Sequence, residues 1–280
     1  MSVKPYFPLG HYHSPIVDPD ERVRRHLAKS NVLKPGDILG IDIDIEPMKR
    51  LWEQHHAVID ATKFSAAPER GQRFSLSGPF PYGDGLSLRL MMAAANPRRV
   101  IEVGSGFSTA CMLDCADELG LTNMHITCIE PYPDRLLGLL RPTDFNRITL
   151  LRQFVQDVSP EIVSELQAND ILFIDSTHVM KTGSDLHFEF FEMLPRLQPG
   201  TLVHFHDCRF PFEYPLDWVA DRNYSWNETY ALRAFLTFNK RFSIVFWGSA
   251  FRRFAPEKIE EHPALKTENP GTSIWLRVNP

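Results

Sequence analysis

The sequence has no excess of positive charge, no long apolar run and no paired cysteine motif, and each absence excludes a class of protein. Its 280 residues include 30 lysines and arginines against 35 aspartates and glutamates, for a formal charge of -5. The basic residues are dispersed along the chain, whereas a general nucleic-acid binder concentrates them on one surface. We therefore expect no nucleic-acid partner.

Apolar runs are too short for a membrane-spanning helix, which needs about 20 consecutive apolar residues. The first ten residues, MSVKPYFPLG, also lack the apolar segment of a signal peptide. Cys111, Cys115, Cys128 and Cys208 form no CxxC pair, which is typical of ordinary thiols in a reducing compartment. The sequence thus predicts a soluble cytoplasmic protein with no membrane partner, and it leaves the oligomeric state open, a homodimer included.

From about residue 97 onward, short β-rich runs alternate with helical patterns, which is typical of a parallel sheet flanked by helices. Seven strands are predicted, at residues 98–103, 125–130, 147–151, 171–175, 201–206, 242–247 and 273–278. Helices are expected at residues 159–166 and 184–194, each with a start or stop signal at one end. Only a loop, residues 255–271, is expected between the last two strands, which favours antiparallel pairing of the two.

The first 80 residues follow a different pattern. Helices are predicted near residues 21–29 and at residues 47–62. In the second helix Met48, Leu51 and Ile59 belong to a set of residues at three- and four-residue intervals, which gives one buried face. We interpret residues 1–80 as a helical cap or lid that packs on a domain formed by residues 81–280.

The stretch VIEVGSGFSTA, residues 100–110, reads as a buried strand that runs into a glycine turn and then a helix. Gly104 and Gly106 permit positive φ and a close approach of backbone N–H groups to a ligand. Glu130 ends the next strand, 26 positions beyond Gly104, where a carboxylate can accept both hydroxyls of a ribose. One interpretation is a nicotinamide dinucleotide site, but the pattern Gly-x-Gly-x-x-Thr lacks the third Gly or Ala of that fingerprint.

A second interpretation uses Glu102, two residues before the first glycine. EVGSG followed by CIEP resembles motifs of the class I S-adenosylmethionine-dependent methyltransferases, and FVQDV at 154–158 and DILFIDSTH at 170–178 extend the resemblance. The resemblance covers roughly residues 82–280. It implies an α/β fold with a Rossmann-like seven-stranded sheet, mostly parallel with the last strand antiparallel, and helices on both faces.

The resemblance also implies S-adenosyl-L-methionine as the cofactor. Its contacts would come from the glycine turn and from the residues that follow the second, third and fourth strands. The cofactor-binding residues so predicted are Glu102, Gly104, Ser105, Gly106, Ser108, Glu130, Gln156, Asp157 and Asp175. Ser108 stands where the family usually has a third glycine.

Polar side chains follow the fourth and fifth strands, where the carboxyl ends of an open α/β sheet bind ligands. Asp175 and His178 follow the fourth strand, and His206 and Asp207 follow the fifth, so we expect all four to meet as catalytic residues. His204 lies deeper in its strand and is predicted to be structural. FIDSTH and HFHD resemble a branch of the methyltransferases that acts on small-molecule or sugar-like substrates.

A neutral hydroxyl acceptor needs a base or a metal that lowers its pKa. His178 or His206 is a candidate base, since imidazole titrates near neutral pH. Neighbouring branches of the family often hold a divalent metal at these strand ends. Asp175, His206 and Asp207 would form such a site here, a mixed nitrogen and oxygen set that suits Mn, Fe or Zn at least as well as Mg.

Two further segments offer side chains for binding the acceptor substrate: His11 and His13 in GHYHSPI, and Asn227 and Glu228 at the start of a helix predicted within residues 224–236. The sequence as a whole predicts an enzyme that methylates a small molecule, most simply at a hydroxyl. A nicotinamide-dependent oxidoreductase, a metal-dependent hydroxylase and a non-catalytic cofactor-binding protein are the alternatives, because fold does not fix chemistry. The acceptor and the modified atom are not determined.

Overall fold

A computed structural model of the protein describes residues 4–67, 69, 71–262 and 271–280. All seven predicted strands are present in one sheet. They are β1 (Arg99–Val103), β2 (His125–Ile129), β3 (Ile148–Leu151), β4 (Ile171–Ile174), β5 (Leu202–Phe205), β6 (Phe242–Trp247) and β7 (Ile274–Val278). Their order across the sheet is β3-β2-β1-β4-β5-β7-β6.

The strands β1 to β5 pair parallel, and β7 lies antiparallel between β5 and β6. The predicted Rossmann-like sheet, mostly parallel with its last strand antiparallel, is confirmed, as is the antiparallel pairing of the last two strands. The residues of β4 and β5 are all buried, because a parallel sheet is covered by helices and reads as continuous apolar runs.

The carboxyl ends of four neighbouring strands are level with one another. Val103 at the end of β1 pairs with Ile129 of β2. Ile174 at the end of β4 pairs with Val103 and with Phe205 of β5. The residues that follow these ends therefore leave the sheet at one edge: Gly104, Glu130, Asp175 and His206.

Eleven α-helices lie within the described residues. They are α1 (Glu21–Ser30), α2 (Ile45–Gln54), α3 (His56–Ala61), α4 (Tyr82–Ala95), α5 (Phe107–Leu119), α6 (Asp134–Leu139), α7 (Asp185–Phe188), α8 (Leu216–Ala220), α9 (Glu228–Leu236), α10 (Gly248–Phe254) and α11 (Pro256–Glu260). None of them is both long and apolar enough to cross a membrane. The start of α1 is fixed by the Asp20 carboxylate, which accepts hydrogen bonds from the N–H groups of Arg22 and Val23.

Residues 47–62, predicted as one helix, form two helices that are separated at His55. The backbone there has φ -115° and ψ 18°, outside the α-helical range. The His55 N–H donates to the carbonyl of Trp52, three residues back, so the last turn of α2 is tightened. The apolar spacing continues across the break, which explains why the sequence pattern predicts a single helix.

Two other predicted helices are less regular than expected. Residues 159–166 form a 3-10 helix, Pro160–Glu165. Residues 184–194 begin as α7 and continue through a π-helical turn, Glu189–Met193. Such turns leave the apolar spacing nearly unchanged while altering the hydrogen-bond pattern.

Two predicted boundaries also differ from the structure. The expected loop at residues 255–271 contains α11, which starts with Pro256 at a favourable first-turn position. Residues 263–270 of that loop lie outside the described residues. The helix predicted to begin at residue 224 begins at Glu228.

The first 80 residues contribute to the same apolar core as the sheet. Ile38, Met48 and Ile59 are buried in a cluster that also contains the strand residues. Trp52 of α2 packs on Phe251 of α10 with a ring-centroid distance of 5.0 Å. The division of the chain at residue 80 into a cap and a domain stays a prediction.

Candidate active site

The glycine turn joins β1 to α5 and passes very close to the end of β4. Gly104 has φ +81°, and a Cβ atom there would lie 2.0 Å from the carbonyl oxygen of Asp175. Only glycine can occupy this position, because both the backbone angle and the space exclude a side chain. Gly106 has φ 171°, which is extended backbone, so positive φ is required at the first glycine alone.

Glu102 lies behind the turn. Its carboxylate is fully buried and accepts hydrogen bonds from the hydroxyls of Ser108, at 2.6 Å, and of Thr109. Burial raises the pKa of Glu102 to about 7, and the hydroxyl groups oppose that rise. The carboxylate therefore supports the turn from behind, and its predicted contact with the cofactor stays a prediction.

Glu130 leaves the end of β2 beside the turn. One carboxylate oxygen accepts from the N–H of Ser105 at 3.2 Å, and the other accepts from the N–H of Tyr132 at 2.8 Å. Next to it, Tyr132 and Phe154 are 74% and 50% exposed and touch edge to face at 6.0 Å. Exposed aromatic faces of this kind can receive a flat ring, a feature that sequence reasoning missed.

A cavity of about 290 Å³ opens at the carboxyl ends of the strands; we call it the catalytic cavity. It brings together nine of the residues predicted for the site: Gly104, Ser105, Gly106, Ser108, Glu130, Asp175, His178, His206 and Asp207. Six further residues also line it: Pro79, Phe80, Phe107, Arg135, Ser176 and Trp226. Phe107 and Ser176 lie within the stretches VIEVGSGFSTA and DILFIDSTH, and the other four lie outside the motifs quoted above.

Two imidazoles and two carboxylates meet at one side of this cavity, and we call Asp175, His178, His206 and Asp207 the imidazole–carboxylate cluster. His206 Nδ1 lies 3.4 Å from Asp175 Oδ1 and 3.6 Å from Asp207 Oδ2. His178 Nε2 lies 3.7 and 3.9 Å from the same two oxygens. The two rings therefore face one shared pair of carboxylate oxygens.

A buried carboxylate also stands behind each imidazole. Glu228 Oε2 lies 2.6 Å from His178 Nδ1, and Asp84 Oδ2 lies 3.5 Å from His206 Nε2. The side chain of Glu228 is 1% exposed. It is therefore placed to orient His178, and it does not line the cavity as a residue that binds the acceptor would. The second oxygen of Asp84 accepts from the N–H groups of residues 272 and 273.

The surrounding carboxylates change the protonation of both rings. Burial alone would lower the pKa of His178, but Glu228, with smaller contributions from Asp175 and Asp207, raises it to about 9. Burial also opposes protonation of His206, and the same two aspartates with Asp84 raise its pKa well above the usual value. The carboxylates therefore favour the imidazolium form of both rings, whereas an isolated imidazole titrates near neutral pH.

Two members of the cluster have backbone angles that only a minority of residues adopt. His178 has φ 61° and Asp207 has φ 54°, both in the left-handed region. The carbonyl of His178 accepts from the N–H groups of Asn227, at 3.1 Å, and Glu228. The hydroxyl of Thr272 donates to Asp207 at 2.9 Å. Such conformations persist where neighbouring structure holds them, and they concentrate at functional sites.

Several predicted residues lie elsewhere. Asn227 bonds through its side chain to the backbone N–H and carbonyl of Met180, so it joins two loops and does not line the cavity. His11 and His13 contact one another and Phe7, and neither lines the catalytic cavity. Their proposed binding of the acceptor stays a prediction.

Gln156 and Asp157 lie in a 3-10 turn after β3. The side-chain amide of Gln156 donates to the carbonyl of Gly183 at 2.9 Å, and neither residue lines the catalytic cavity. Their contact with the cofactor also stays a prediction. His204 stacks on Phe173 at 3.7 Å, and burial lowers its pKa, which agrees with a structural role.

Within the part of the chain that the structure describes, no group of three or more His, Cys, Asp or Glu side chains is arranged to hold a metal ion.

A family model for a methyltransferase domain matches residues 101–208, the span that runs from β1 through the glycine turn to the end of the imidazole–carboxylate cluster. The chain therefore contains an S-adenosylmethionine-dependent methyltransferase domain. This methyltransferase is also 30% identical over 170 residues to an uncharacterized protein of Archaeoglobus fulgidus, a match that spans 59% of this chain and 76% of that protein.

Three solved structures are also similar to this methyltransferase. An apo structure of CmcI is 17% identical over 78% of each chain, with a TM-score of 0.46. An O-methyltransferase from Bacillus cereus is 14% identical over 92% of this chain and 97% of its own, with a TM-score of 0.45. The O-methyltransferase TomG from Streptomyces achromogenes is 13% identical over 93% of this chain and 100% of its own, with a TM-score of 0.44. These likenesses are too distant to tell what this chain binds.

Proposed function

We propose that this methyltransferase methylates a hydroxyl group of a small molecule and that His178 accepts the hydroxyl proton. One observation supports the proposal above all. The imidazole–carboxylate cluster lines the same cavity as the glycine turn and Glu130, so a base lies next to the place where we expect the cofactor.

S-adenosyl-L-methionine supplies a methyl group on a positively charged sulfur. A neutral hydroxyl attacks such a carbon poorly until its proton is removed. In the proposal the proton moves to His178 Nε2 as the new C–O bond forms and the C–S bond breaks. Glu228, which holds the other ring nitrogen at 2.6 Å, stabilises the imidazolium that results.

The cofactor would be held by the turn and by Glu130. Gly104 lets the turn pass close to the end of β4, and the N–H groups of the turn and of the first residues of α5 can face a carboxylate. Glu130 would accept the ribose hydroxyls. Asp175, a member of the cluster, lines the same cavity as the turn and can contact both the cofactor and His206.

Calorimetric titration with S-adenosylhomocysteine separates cofactor binding from chemistry. We expect His178→Ala to bind it as the wild type does, and to lose methyl transfer to a panel of phenols and sugars by about 10²- to 10⁴-fold. His56→Ala, at an exposed position on α3, is the control and should change neither. Failure of the folded wild type to bind S-adenosylhomocysteine would overturn the proposal.

A divalent metal at Asp175, His206 and Asp207 is a second candidate for activating the hydroxyl. His206 Nδ1 lies 3.4 and 3.6 Å from one oxygen of Asp175 and one of Asp207, although the described residues contain no preformed group of three metal ligands. The mixed donor set suits Mn, Fe or Zn at least as well as Mg, and a bound ion would lower the pKa of the hydroxyl. Methyl transfer that is unchanged after dialysis against EDTA excludes this role.

The family match leaves a nicotinamide-dependent oxidoreductase, a hydroxylase and a non-catalytic binding protein without support. We therefore propose none of them.

A further inference from the structure

A second cavity of about 290 Å³ lies beside the catalytic cavity, between α1 and the segment that leads into α9. We call it the aromatic pocket. One wall is made of aromatic side chains: Tyr214, Trp218, Tyr224, Trp226 and Tyr230. The opposite wall comes from α1: Arg22, Val23, His26 and Leu27.

The aromatic rings that line the pocket also pack against each other. Tyr224 stacks on Trp226 at 4.5 Å, and Trp218 meets Trp226 edge to face at 5.5 Å. Tyr214 lies 6.2 Å from Trp226. Because each ring is held by its neighbours, the wall is formed before any ligand arrives, and a ligand loses less free energy in ordering it.

The polar groups of the aromatic pocket are engaged within the protein. Glu213, whose side chain is 8% exposed, lies 2.7 Å from His26 Nε2 and accepts a hydrogen bond from the hydroxyl of Tyr230. Ser225 Oγ donates to the side chain of Asn223. A sugar would place several hydroxyls where these groups are already paired, and hydroxyls that lose bonds to water without gaining others are costly. A flat apolar body has no such cost.

Trp226 connects this pocket to the catalytic cavity, because its side chain lines both. Its ring lies 4.3 Å from the ring of His178, centroid to centroid. A molecule that lies along the aromatic wall therefore ends beside the proposed base.

We propose that the acceptor is a phenol, a planar aromatic compound whose ring system lies in the aromatic pocket and whose hydroxyl reaches past Trp226 to His178. This inference rests on the proposed function. It also fits the chemistry of the base. A phenolic hydroxyl has a pKa near 10, as in tyrosine, so an imidazole can take a proton from it far more readily than from an aliphatic alcohol or a sugar.

Equilibrium dialysis with 2-naphthol and with methyl β-D-glucopyranoside tests the pocket without any need for turnover. We expect the naphthol to bind and the glucoside not to bind. Val23→Phe fills the pocket from α1 and should weaken naphthol binding by about tenfold or more. Arg25→Phe is the matched control, because it adds the same ring at an exposed position of α1 that does not line the pocket. Naphthol binding that is equal in the two variants would overturn the inference, as would binding of the glucoside alone.

Trp218→Ala gives a second test, since it removes part of the wall and adds no bulk. Binding of S-adenosylhomocysteine by each variant shows that the protein is folded and keeps the two proposals distinct. If the wild type binds the naphthol in the pocket but does not bind S-adenosylhomocysteine, the proposed function fails while the pocket stands. If it binds S-adenosylhomocysteine and Trp218→Ala leaves naphthol binding unchanged, only the phenol inference fails.

Discussion

Each imidazole of the active site stands between carboxylates on two sides. His178 has Glu228 behind it and Asp175 and Asp207 in front, and His206 has Asp84 behind it. Within a buried site, opposite charges at these distances stabilise the protonated ring strongly. The pKa of each ring is therefore set by carboxylates close in sequence, Asp175 and Asp207, and by one that is distant, Glu228 or Asp84. Single substitutions of these carboxylates should change it.

The pH dependence of methyl transfer should change in Glu228→Gln. In the wild type the unprotonated form of His178 appears only as the pH rises toward its pKa of about 9, so the rate should climb over that range. Removing the Glu228 charge lowers this pKa by about one to two units. The rate profile measured against pH should therefore move to lower pH.

Glu165→Gln, at an exposed position, is the control for this experiment and should keep the wild-type profile. An unmoved midpoint in Glu228→Gln would show that His178 is not the group whose titration limits the rate.

Gly104→Ala should destabilise the protein and abolish binding of S-adenosylhomocysteine. The added Cβ would meet the Asp175 carbonyl oxygen at 2.0 Å, which forces the turn and β4 apart, at a cost of about 2–4 kcal/mol. Thermal unfolding and calorimetry measure the two effects. Gly120→Ala is the control, because Gly120 also has positive φ, +72°, but nothing lies within 4 Å of an added Cβ. It should cost about 1 kcal/mol and leave binding intact.

Elements of the fold are joined by one buried arginine. Arg73, whose side chain is 4% exposed, bonds to Asp114 at 2.7 Å, to Asp117 at 2.8 Å and to Asp144 at 2.5 Å. These contacts attach the segment before α4 to α5 and to the turn that precedes β3. None of the four ion-paired residues lines the catalytic cavity.

Arg73→Met should lower the free energy of unfolding by about 3–5 kcal/mol, because it leaves Asp144 buried without its partner. Arg196→Met breaks an ion pair at the surface instead and should cost about 1 kcal/mol or less. Urea unfolding of both variants provides the comparison. If the free energy of unfolding falls equally in the two variants, the buried ion pairs of Arg73 stabilise the fold no more than a surface pair does.

The ion pairs of Arg73 should also make the stability of the protein fall at acid pH. Burial raises the pKa of Asp144 and Asp117, but the bonds to Arg73 outweigh it, and both values are lowered. A lowered pKa in the folded state adds stability that is present above about pH 4, the usual value of an unfolded aspartate, and is lost as the pH falls below it. Unfolding measured between pH 7 and pH 3 should show this loss in the wild type and less of it in Arg73→Met.

For the molecule as a whole, all four cysteines are buried, and burial raises the pKa of Cys111, Cys128 and Cys208 above the usual range. Their reaction with a thiol reagent such as DTNB should be at least about a hundredfold slower in the folded protein than in urea. Thr143→Cys places a thiol at an exposed position, and this added thiol should react with DTNB as fast in the folded protein as in urea. Rapid modification of the native wild type would contradict the burial.

The sheet and the glycine turn were predictable because their signals are local. Buried strands are continuous apolar runs, and the turn follows β1 directly. The partners of the imidazoles were not predictable in the same way, since His178 meets Glu228 fifty positions away and Asp84 meets His206 across the site. Glu228 was predicted to bind the acceptor, which stays a prediction, whereas its position behind His178 could not be read from the sequence.

The aromatic pocket shows the same limit. Trp226 and Tyr230 have spacings that suit packing, and both rings pack on Tyr214. The space between α1 and these rings depends on how the first 80 residues pack on the rest of the chain. The sequence of α1 and the sequence around Trp226 do not by themselves indicate the distance between the two segments.

The position of β7 has a consequence for how the enzyme is made. This strand lies between β5 and β6, and the residues just before it hold both Asp84 and Asp207 of the active site. A nascent chain that has left the ribosome only as far as β6 therefore has the glycine turn and both histidines. It lacks residues 272 and 273, whose hydrogen bonds hold Asp84 and Asp207 beside His206. Premature termination in that interval should yield a polypeptide that is inactive and exposes two unpaired strand edges to aggregation.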